Sequence, residues 1–403
     1  MGWRLPLRSL WRNRRRTILS LLVIALGTAV SAFVFGFLEN SRLQIQQSTV
    51  QEYGNLQIAS PELWNSKTDG YGYLIAPAAA AQVGGLLAQE PGFRGSTSQL
   101  QFPGLLGTGR DTQVIRALGI EPGNPVLDFA DHVVAGRGLA PTDTAAVFVG
   151  RTLADKLSLS VGSIVMATLT TVHGAYNASP FTVVGIYKYT NAQFEEQVVF
   201  IPLAFAQRLL DTDGVDRIVV SLDQIAETST VAGHLTTGLA ASGIALAPRT
   251  WDDLSPFYRQ LASYFNALFA FLSFAISILV FFIILEVQTL AFLERTREVG
   301  TIRALGTTQR EVFVLFFAES AWLAALGSAS GVAVGALLIA AFNAAKIQWL
   351  PPGTIDYFTL GAKIEVGTVL VPFAISFVAT LLSALYPAAQ ASRLRVVDAL
   401  RVE

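Results

Sequence analysis

The sequence contains four apolar stretches, each long enough to cross a lipid bilayer as a helix. A hydrocarbon core about 30 Å thick needs roughly 20 apolar residues per helix. A chain with four such stretches is predicted to fold as an α-helical membrane protein with four transmembrane helices. The predicted spans are residues 17–38, 260–293, 312–345 and 366–392.

The composition fits a membrane protein that also has a large water-exposed part. Of 403 residues, 52% are hydrophobic and 14% are charged, whereas charged residues make up about 25% of an ordinary soluble domain. The formal net charge of −1 gives no basic footprint for nucleic acid. The sequence has no cysteine and only three isolated histidines, which excludes disulfides and catalytic thiols. No metal site is predicted.

The positions of lysine and arginine set the predicted direction of the spans, since these residues stay preferentially in the cytosol. Thirteen of the 28 lysines and arginines lie in three short segments, residues 1–16, 294–311 and 393–403. Both termini and the 294–311 loop are therefore predicted to be cytoplasmic. Residues 39–259 and the short 346–365 loop are predicted to lie outside.

The residues before the first span form an amphipathic pattern. Trp3 and Trp11 share one helical face, while Arg4, Arg8 and Arg12 repeat every fourth residue. This pattern predicts a helix in the inner membrane interface, with its arginines toward lipid phosphates. An ordinary basic segment flanking a span would carry the same arginines and remains the alternative.

The segment between the second and third spans predicts a short surface helix. Residues 294–305 make about three turns, and Gly306 suits the left-handed position that ends a helix. The string Thr308-Gln309-Arg310-Glu311 is a capping box that starts the next helix. Mixed charges with a few apolar residues suit a groove on a soluble partner; the alternative is a solvated loop that only sets topology. The apolar residues offered to the partner are Val299, Ile302 and Leu305.

Residues 39–259 are predicted to form an α+β domain inserted between the first two transmembrane helices. The first helix has no breaker before Gly54 and is predicted to continue to Tyr53 as a stalk; a second stalk is predicted from about Asp253. Alternating strand-like and helix-like runs favour βαβ-type units, and residues 172–180 are interpreted as a hairpin loop. Strands are predicted at 56–59, 97–102, 113–119, 145–149, 163–171, 181–189, 198–201 and 217–222, and helices at 76–89, 151–158, 203–210 and 228–240.

Paired carboxylates in the outer domain give no catalytic arrangement. Acidic pairs on loops are far more often solvated turn or cap residues than acid/base pairs. No catalytic residue is therefore assigned. The pairs are Asp128 with Asp131, Asp252 with Asp253, and Glu195 with Glu196, the last interpreted as an exposed loop.

Small residues recur at four-residue spacing in two predicted spans. Gly327, Gly331 and Gly335 form one ridge, and Ala32 with Gly36 forms another. Such ridges let helices approach closely. Packing within one bundle is the favoured interpretation, and whether either ridge forms a dimer contact is left open.

Several strings resemble one family of membrane proteins. They are Glu294-Arg295-Thr296-Arg297-Glu298-Val299-Gly300, Arg303-Ala304-Leu305-Gly306, Phe317-Ala318-Glu319-Ser320, and Tyr386-Pro387-Ala388-Ala389-Gln390-Ala391-Ser392-Arg393. In the outer domain, residues 149–157 and 181–186 continue the pattern. In this order the motifs resemble the FtsX-like permeases of ABC transporters, which include macrolide-exporter and lipoprotein-releasing permeases. The overall layout is most similar to the lipoprotein-releasing type.

The resemblance implies a multi-pass protein of the bacterial inner membrane whose loop helix couples to a cytosolic ATPase. The sequence lacks the G-x-x-x-x-G-K-[ST] string that cradles nucleotide phosphates, so ATP and Mg²⁺ are expected on a separate ATPase and no cofactor on this chain. Expected partners are an ABC ATPase dimer, a second identical or related permease chain and membrane lipid, with a periplasmic adaptor or a lipoprotein cargo as further candidates. The implied coupling residues are Glu294, Arg295, Arg297, Glu298, Gly300, Arg303, Ala304 and Gly306.

Two acidic residues fall inside predicted spans. Glu286 lies about two helical turns before the loop, where an ionisable group is costly and often functional. Snorkelling or an interhelical hydrogen bond is the favoured explanation. Glu319 matches the family pattern, and we expect it at the inner interface or in the layer facing the ATPase.

Two functions compete at this point. The first is a permease subunit that transmits ATPase motion to the outer domain and so extracts or exports a lipoprotein, a lipid-like molecule, a peptide or a drug. The second is a mechanotransmission or signalling subunit that regulates an outer partner such as a cell-wall hydrolase. A membrane-tethered enzyme lacks a site. Cargo, direction and the identity of the second permease chain are left open.

Overall fold

The chain folds into two compact units, one helical and one mixed. The computed structural model describes residues 14–64, 70–124, 126, 132–189, 192–294, 296–350 and 358–393. The helical unit holds the described residues of Met1–Gln44, Gln260–Gln348 and Thr359–Glu403, and the α+β unit holds those of Ile45–Arg259 and Trp349–Phe358.

The described elements alternate between helices and strands from the end of the first helix to residue 254. In chain order the helices are α1 (Arg14–Tyr53), α2 (Pro61–Trp64), α3 (Pro77–Leu87), α4 (Arg151–Lys156), α5 (Ala192–Gln197), α6 (Leu203–Leu210), α7 (Thr228–Ala241), α8 (Trp251–Leu254), α9 (Pro256–Glu294), α10 (Thr296–Ala304), α11 (Gln309–Ala344) and α12 (Val366–Arg393). The strands are β1 (Leu56–Ala59), β2 (Phe93–Gly107), β3 (Thr112–Ile120), β4 (Val133–Gly136), β5 (Ala146–Gly150), β6 (Ile164–Thr170), β7 (Tyr176–Tyr187), β8 (Val198–Pro202), β9 (Arg217–Leu222), β10 (Ala247–Thr250), β11 (Gln348–Trp349) and β12 (Phe358–Thr359).

Within the described residues, four helices are long and apolar enough to cross a membrane, which confirms the predicted fold class. They are Thr17–Tyr53, Pro256–Leu290, Gln309–Ala344 and Val366–Arg393. Helix α1 continues to Tyr53 as predicted. Helix α9 begins at Pro256 rather than at Asp253, because proline suits the first turn of a helix, where its missing N–H is not needed.

The α+β unit is built on one ten-stranded sheet with the order β10-β1-β9-β2-β3-β8-β5-β7-β4, in which β6 pairs with β2 and β7. The pairs β3–β8 and β5–β7 are parallel, as the predicted βαβ-type units require. Strand β2 serves both halves of the sheet. It pairs with β9 as far as Gln99 and with β6 from Leu105 onward.

The predicted hairpin loop at 172–180 is too long. Strand β7 already begins at Tyr176, and Pro180 lies within it, paired with Met166 of β6. On its other side β7 pairs with β5 only from Thr182 onward. Proline is tolerated in a strand where one side is unpaired, since no ladder bond is lost there.

Glu195 is buried, which corrects its interpretation as an exposed loop residue. The residue is only 1% exposed. The carboxylate accepts hydrogen bonds from the Thr152 N–H at 3.1 Å, the Thr152 hydroxyl at 2.6 Å and the Tyr189 N–H at 2.6 Å. Glu195 thereby gives a backbone N–H in the first turn of α4 a hydrogen-bond acceptor, although the two residues are 43 positions apart in the sequence. Gly150 has to be glycine, because a Cβ there would overlap the Glu195 backbone.

Candidate functional site

Helix α10 ends in a defined glycine turn, as the sequence predicts. Gly306 has a φ of +100°, a conformation that costs glycine little. The Gly306 N–H donates to the Arg303 carbonyl at 3.0 Å, and the Thr307 N–H donates to the Ile302 carbonyl at 3.4 Å. These two bonds make a Schellman motif, which satisfies carbonyls at the end of the helix.

The capping box that begins α11 is also present. The Thr308 hydroxyl accepts from the Glu311 N–H at 3.3 Å, and the Glu311 carboxylate accepts from the Thr308 N–H at 2.9 Å. Each side chain satisfies a backbone donor of the other residue. The Schellman motif ends at Thr307 and the capping box begins at Thr308, so the turn between α10 and α11 is fixed at both ends.

One face of α10 is packed against the beginning of α11 and the end of α12. Val299 is 4% exposed and forms a buried cluster with Val312 and Ala391. The Arg303 guanidinium donates to the Ser392 carbonyl at 3.4 Å. Displacing α10 would therefore act directly on the ends of two long helices.

An adjoining side of α10, together with Leu305 directly after the helix, carries exposed apolar side chains. Leu305 is 83% exposed and Ile302 is 38% exposed. Glu298 and Thr301 are exposed beside them. The i, i+3 spacing of the two apolar residues is the arrangement by which a short helix engages a groove on a soluble partner.

Val299 does not belong to the exposed face, although the sequence places it there with Ile302 and Leu305. A helix turns about 100° per residue, so Val299 lies about 120° away from Leu305 around the axis. Arg303 likewise has a contact within the chain. Fewer residues of the predicted coupling segment are therefore exposed to a partner than the sequence predicts.

The other predicted coupling residues fall into three groups. Glu294, Ala304 and Gly306 are exposed, and Gly300 is buried. Arg295 lies outside the described residues, and the Arg297 side chain is not described. The proposed interface residues Trp3, Arg4, Arg8, Trp11 and Arg12 also lie outside the described part of the chain.

The glycine ridge of α11 faces α1 within the same chain. A Cβ on Gly331 would lie 2.5 Å from the Thr28 Cβ and 2.6 Å from the Ala25 carbonyl oxygen. A Cβ on Gly327 would lie 2.8 Å from Ile24, and one on Gly335 would lie 3.0 Å from Ala32. The two small-residue ridges therefore meet each other at Gly335 and Ala32.

Gly36 makes a different contact, with the segment before α12. A Cβ on Gly36 would lie 2.7 Å from the Lys363 carbonyl oxygen, and the Lys363 N–H donates to the Gly36 carbonyl at 2.9 Å. Glu319 is buried inside the helical unit, 3% exposed. Glu286 is exposed on α9.

Gly331→Leu is expected to disrupt the packing of α1 on α11, because the added side chain meets the backbone of Ala25. Overpacking of this kind costs about 1–3 kcal/mol. Ala333→Leu adds a side chain on an exposed part of the same helix and is the matched control. Thermal unfolding in detergent should show a lower melting temperature for Gly331→Leu alone. Equal melting temperatures for the two variants would contradict this packing.

Two family models match the chain and between them cover both units. The MacB-like periplasmic core domain matches residues 17–237, and the FtsX-like permease C-terminal matches residues 270–396. The four long apolar helices and the inserted α+β unit are the architecture these models describe. The chain belongs to the FtsX-like family of ABC transporter permeases, with a MacB-like periplasmic core domain. The resemblance found in the sequence is confirmed.

Relatives of this chain include an ABC transporter permease, a lipoprotein-releasing transmembrane protein and a macrolide export ATP-binding/permease protein. The uncharacterized ABC transporter permease YvrN of Bacillus subtilis is 24% identical over 428 residues, covering 99% of each chain. The lipoprotein-releasing system transmembrane protein LolC of Xylella fastidiosa is 24% identical, covering 64% of this chain and 65% of LolC. The macrolide export ATP-binding/permease protein MacB of Bdellovibrio bacteriovorus is 24% identical, covering 56% of this chain and 35% of MacB.

Solved structures similar to part of this chain include an extracellular domain. The extracellular domain of the transporter YknZ from Gram-positive bacteria has 16% identity and a TM-score of 0.35, covering 48% of this chain and 100% of that domain. Among the described residues, no group of three or more histidine, aspartate or glutamate side chains is arranged to hold a metal ion.

Proposed function

We propose that this chain is the transmembrane subunit of an ABC transporter and that α10 is its contact with a separate cytosolic ATPase. The observation that carries the proposal is the two-sided character of α10. Val299 packs against α11 and α12, while Ile302 and, directly after the helix, Leu305 are exposed. Full burial of a leucine side chain stabilises a contact by about 1.5–3 kcal/mol. Binding of a partner whose groove covers Leu305 is therefore favoured by the hydrophobic effect.

The anchoring of α10 gives the ATPase stroke a route into the helical unit. Because the turn at Gly306 and Thr308 is fixed by four hydrogen bonds, α10 and α11 move together rather than hinge freely. Arg303 carries the same motion to the end of α12 through the Ser392 carbonyl. The glycine ridge then connects α11 to α1.

Helix α1 is proposed to carry the displacement from the helical unit to the α+β unit. It is unbroken from Arg14 to Tyr53, and its residues from Ile45 onward belong to the α+β unit. The stroke is proposed to act on cargo outside the membrane, namely a lipoprotein, a lipid-like molecule, a peptide or a drug.

The proposal places the protein in the bacterial inner membrane with α10 and both termini in the cytosol. The chain contains no cysteine, so single introduced cysteines can be labelled without background. Thr301 is exposed on α10, and Tyr176, 88% exposed, belongs to the α+β unit.

A membrane-impermeant maleimide applied to intact cells is expected to label Tyr176→Cys but not Thr301→Cys. Disrupting the membrane should then expose Thr301→Cys to the same reagent. The Tyr176→Cys result controls for reagent quality and expression. Efficient labelling of Thr301→Cys in intact cells would overturn the proposed orientation.

A further inference from the structure

A cleft of about 410 Å³ lies in the α+β unit where β2 passes from β9 to β6. Its floor includes Gln101 and Pro103 of β2 and Arg116 of β3, which is the register partner of Pro103. Leu63 and Val114 add apolar surface. Val114 is 71% exposed, so its apolar side chain is accessible to a ligand in the cleft.

One wall of the cleft carries a buried carboxylate that is only half satisfied. Asp216 is 1% exposed, and its Oδ2 accepts from Arg217 Nη2 at 2.8 Å and Nε at 3.1 Å. Its Oδ1 is buried and has no hydrogen-bond partner among the described residues. Burial raises the pKa of Asp216, and Arg217 together with the nearby backbone N–H groups of Gln101 and Asp216 opposes that rise. A buried acceptor without a donor is costly, so Oδ1 offers a place for an N–H group of a ligand.

The cleft also carries an arginine, Arg116, that lies close enough to Glu52 to oppose the rise that burial causes in the pKa of that carboxyl. Arg217 is paired with Asp216. Arg116 is exposed and has no carboxylate within 4 Å in the described part of the chain. Burial raises the pKa of Tyr73 to about 12, so this lining residue keeps its hydroxyl proton and can donate at neutral pH. These groups suit a carboxylate, which forms strong charge-assisted bonds with arginine.

We propose that this cleft binds the free C-terminus of a peptide that ends in an apolar residue. The terminal carboxylate pairs with Arg116, a main-chain N–H of the peptide donates to Oδ1 of Asp216, and the last side chain contacts Leu63 and Pro103. A phosphate group fits less well, because a deprotonated phosphate has no N–H group to donate to Oδ1 of Asp216. The inference goes beyond the proposed function, since binding requires neither ATP nor an ATPase.

Fluorescence anisotropy on the full-length chain in detergent tests the site. The probe is a tetrapeptide that ends in leucine, with fluorescein at its N-terminus and a free C-terminal carboxylate. The same peptide with a C-terminal amide is the comparison ligand. Wild-type protein is expected to bind the free acid at least about tenfold more tightly, the loss expected for one charge-assisted hydrogen bond.

Arg116→Gln should remove the preference for the free acid, and its exposed position makes misfolding an unimportant concern. Arg94→Gln, at an exposed arginine elsewhere on β2, should bind like wild type. Tyr73→Phe should weaken the acid by a smaller factor. Equal affinity for acid and amide, an unchanged preference in Arg116→Gln, or displacement of the peptide by inorganic phosphate would each overturn the proposal, while leaving ATPase coupling through α10 untouched.

Discussion

Leu305→Asp is expected to abolish coupling between this permease and its ATPase while leaving the permease folded. The side chain is 83% exposed, so an aspartate there costs the isolated chain almost nothing. In a groove of the partner the same carboxylate is desolvated without a counter-charge. An unpaired buried charge costs about 3 kcal/mol or more, which corresponds to roughly a hundredfold weaker association.

The measurement is copurification of the ATPase with the permease, followed by ATP hydrolysis of the reconstituted complex. Ile164→Asp, at a residue of β6 that is 72% exposed, is the matched control, because it makes the same change on the α+β unit. The control should retain the ATPase and its activity. Wild-type levels of both in Leu305→Asp would rule out α10 as the principal contact.

Arg303→Glu is a poorer test of the same idea. Its guanidinium donates to the Ser392 carbonyl, so a charge reversal places a carboxylate beside that carbonyl oxygen and disturbs the packing of α10 on α12. Loss of activity in that variant would not separate docking from local folding. The exposed Leu305 avoids this ambiguity.

Glu195→Gln is expected to produce the largest loss of stability in the α+β unit. The amide keeps one acceptor oxygen but turns an NH₂ group toward donors that now lack a partner. Three donors converge on this carboxylate, from Thr152 and Tyr189. Each buried donor left unsatisfied costs about 1–3 kcal/mol, so the unit is expected to lose about 2–4 kcal/mol.

Thermal unfolding of the full-length chain in detergent measures this effect, with an expected decrease of at least about 5 °C in melting temperature. The adjacent Glu196→Gln is the control. Glu196 pairs with Lys156 at the surface, and surface ion pairs contribute about 0–1 kcal/mol. A Glu195→Gln melting temperature within 1–2 °C of that of Glu196→Gln, roughly the scale of a surface pair, would contradict the buried role of Glu195.

The sequence predicts best those features whose causes are local. Gly306 and the Thr308 capping box are set by backbone conformation and by side chains three residues apart, and both are found in the structure. The four apolar helices follow from length and hydropathy. The boundaries of the strand at 56–59 and the helix at 203–210 agree with the structure as well.

Features that depend on tertiary contacts were missed for a consistent reason. Nothing near Glu195 in the sequence shows that Thr152 and Tyr189 will surround it, and nothing near Val299 shows that Ala391 will cover it. Strands β4 and β10 were also not predicted. Each has four residues and lies at an edge of the sheet, where weak alternation of burial leaves little signal. Pro248 in β10 further conceals it, since proline is tolerated in edge strands.

The proposed function requires that an ATP-hydrolysing subunit binds the exposed side of α10. A benzophenone attached through Leu305→Cys tests it directly in native membranes, with Tyr176→Cys on the α+β unit as the control position. We predict that irradiation joins the Leu305 position, and not the Tyr176 position, to an ABC ATPase identified by mass spectrometry. The absence of any ATPase adduct at Leu305 in a complex that hydrolyses ATP would contradict the claim.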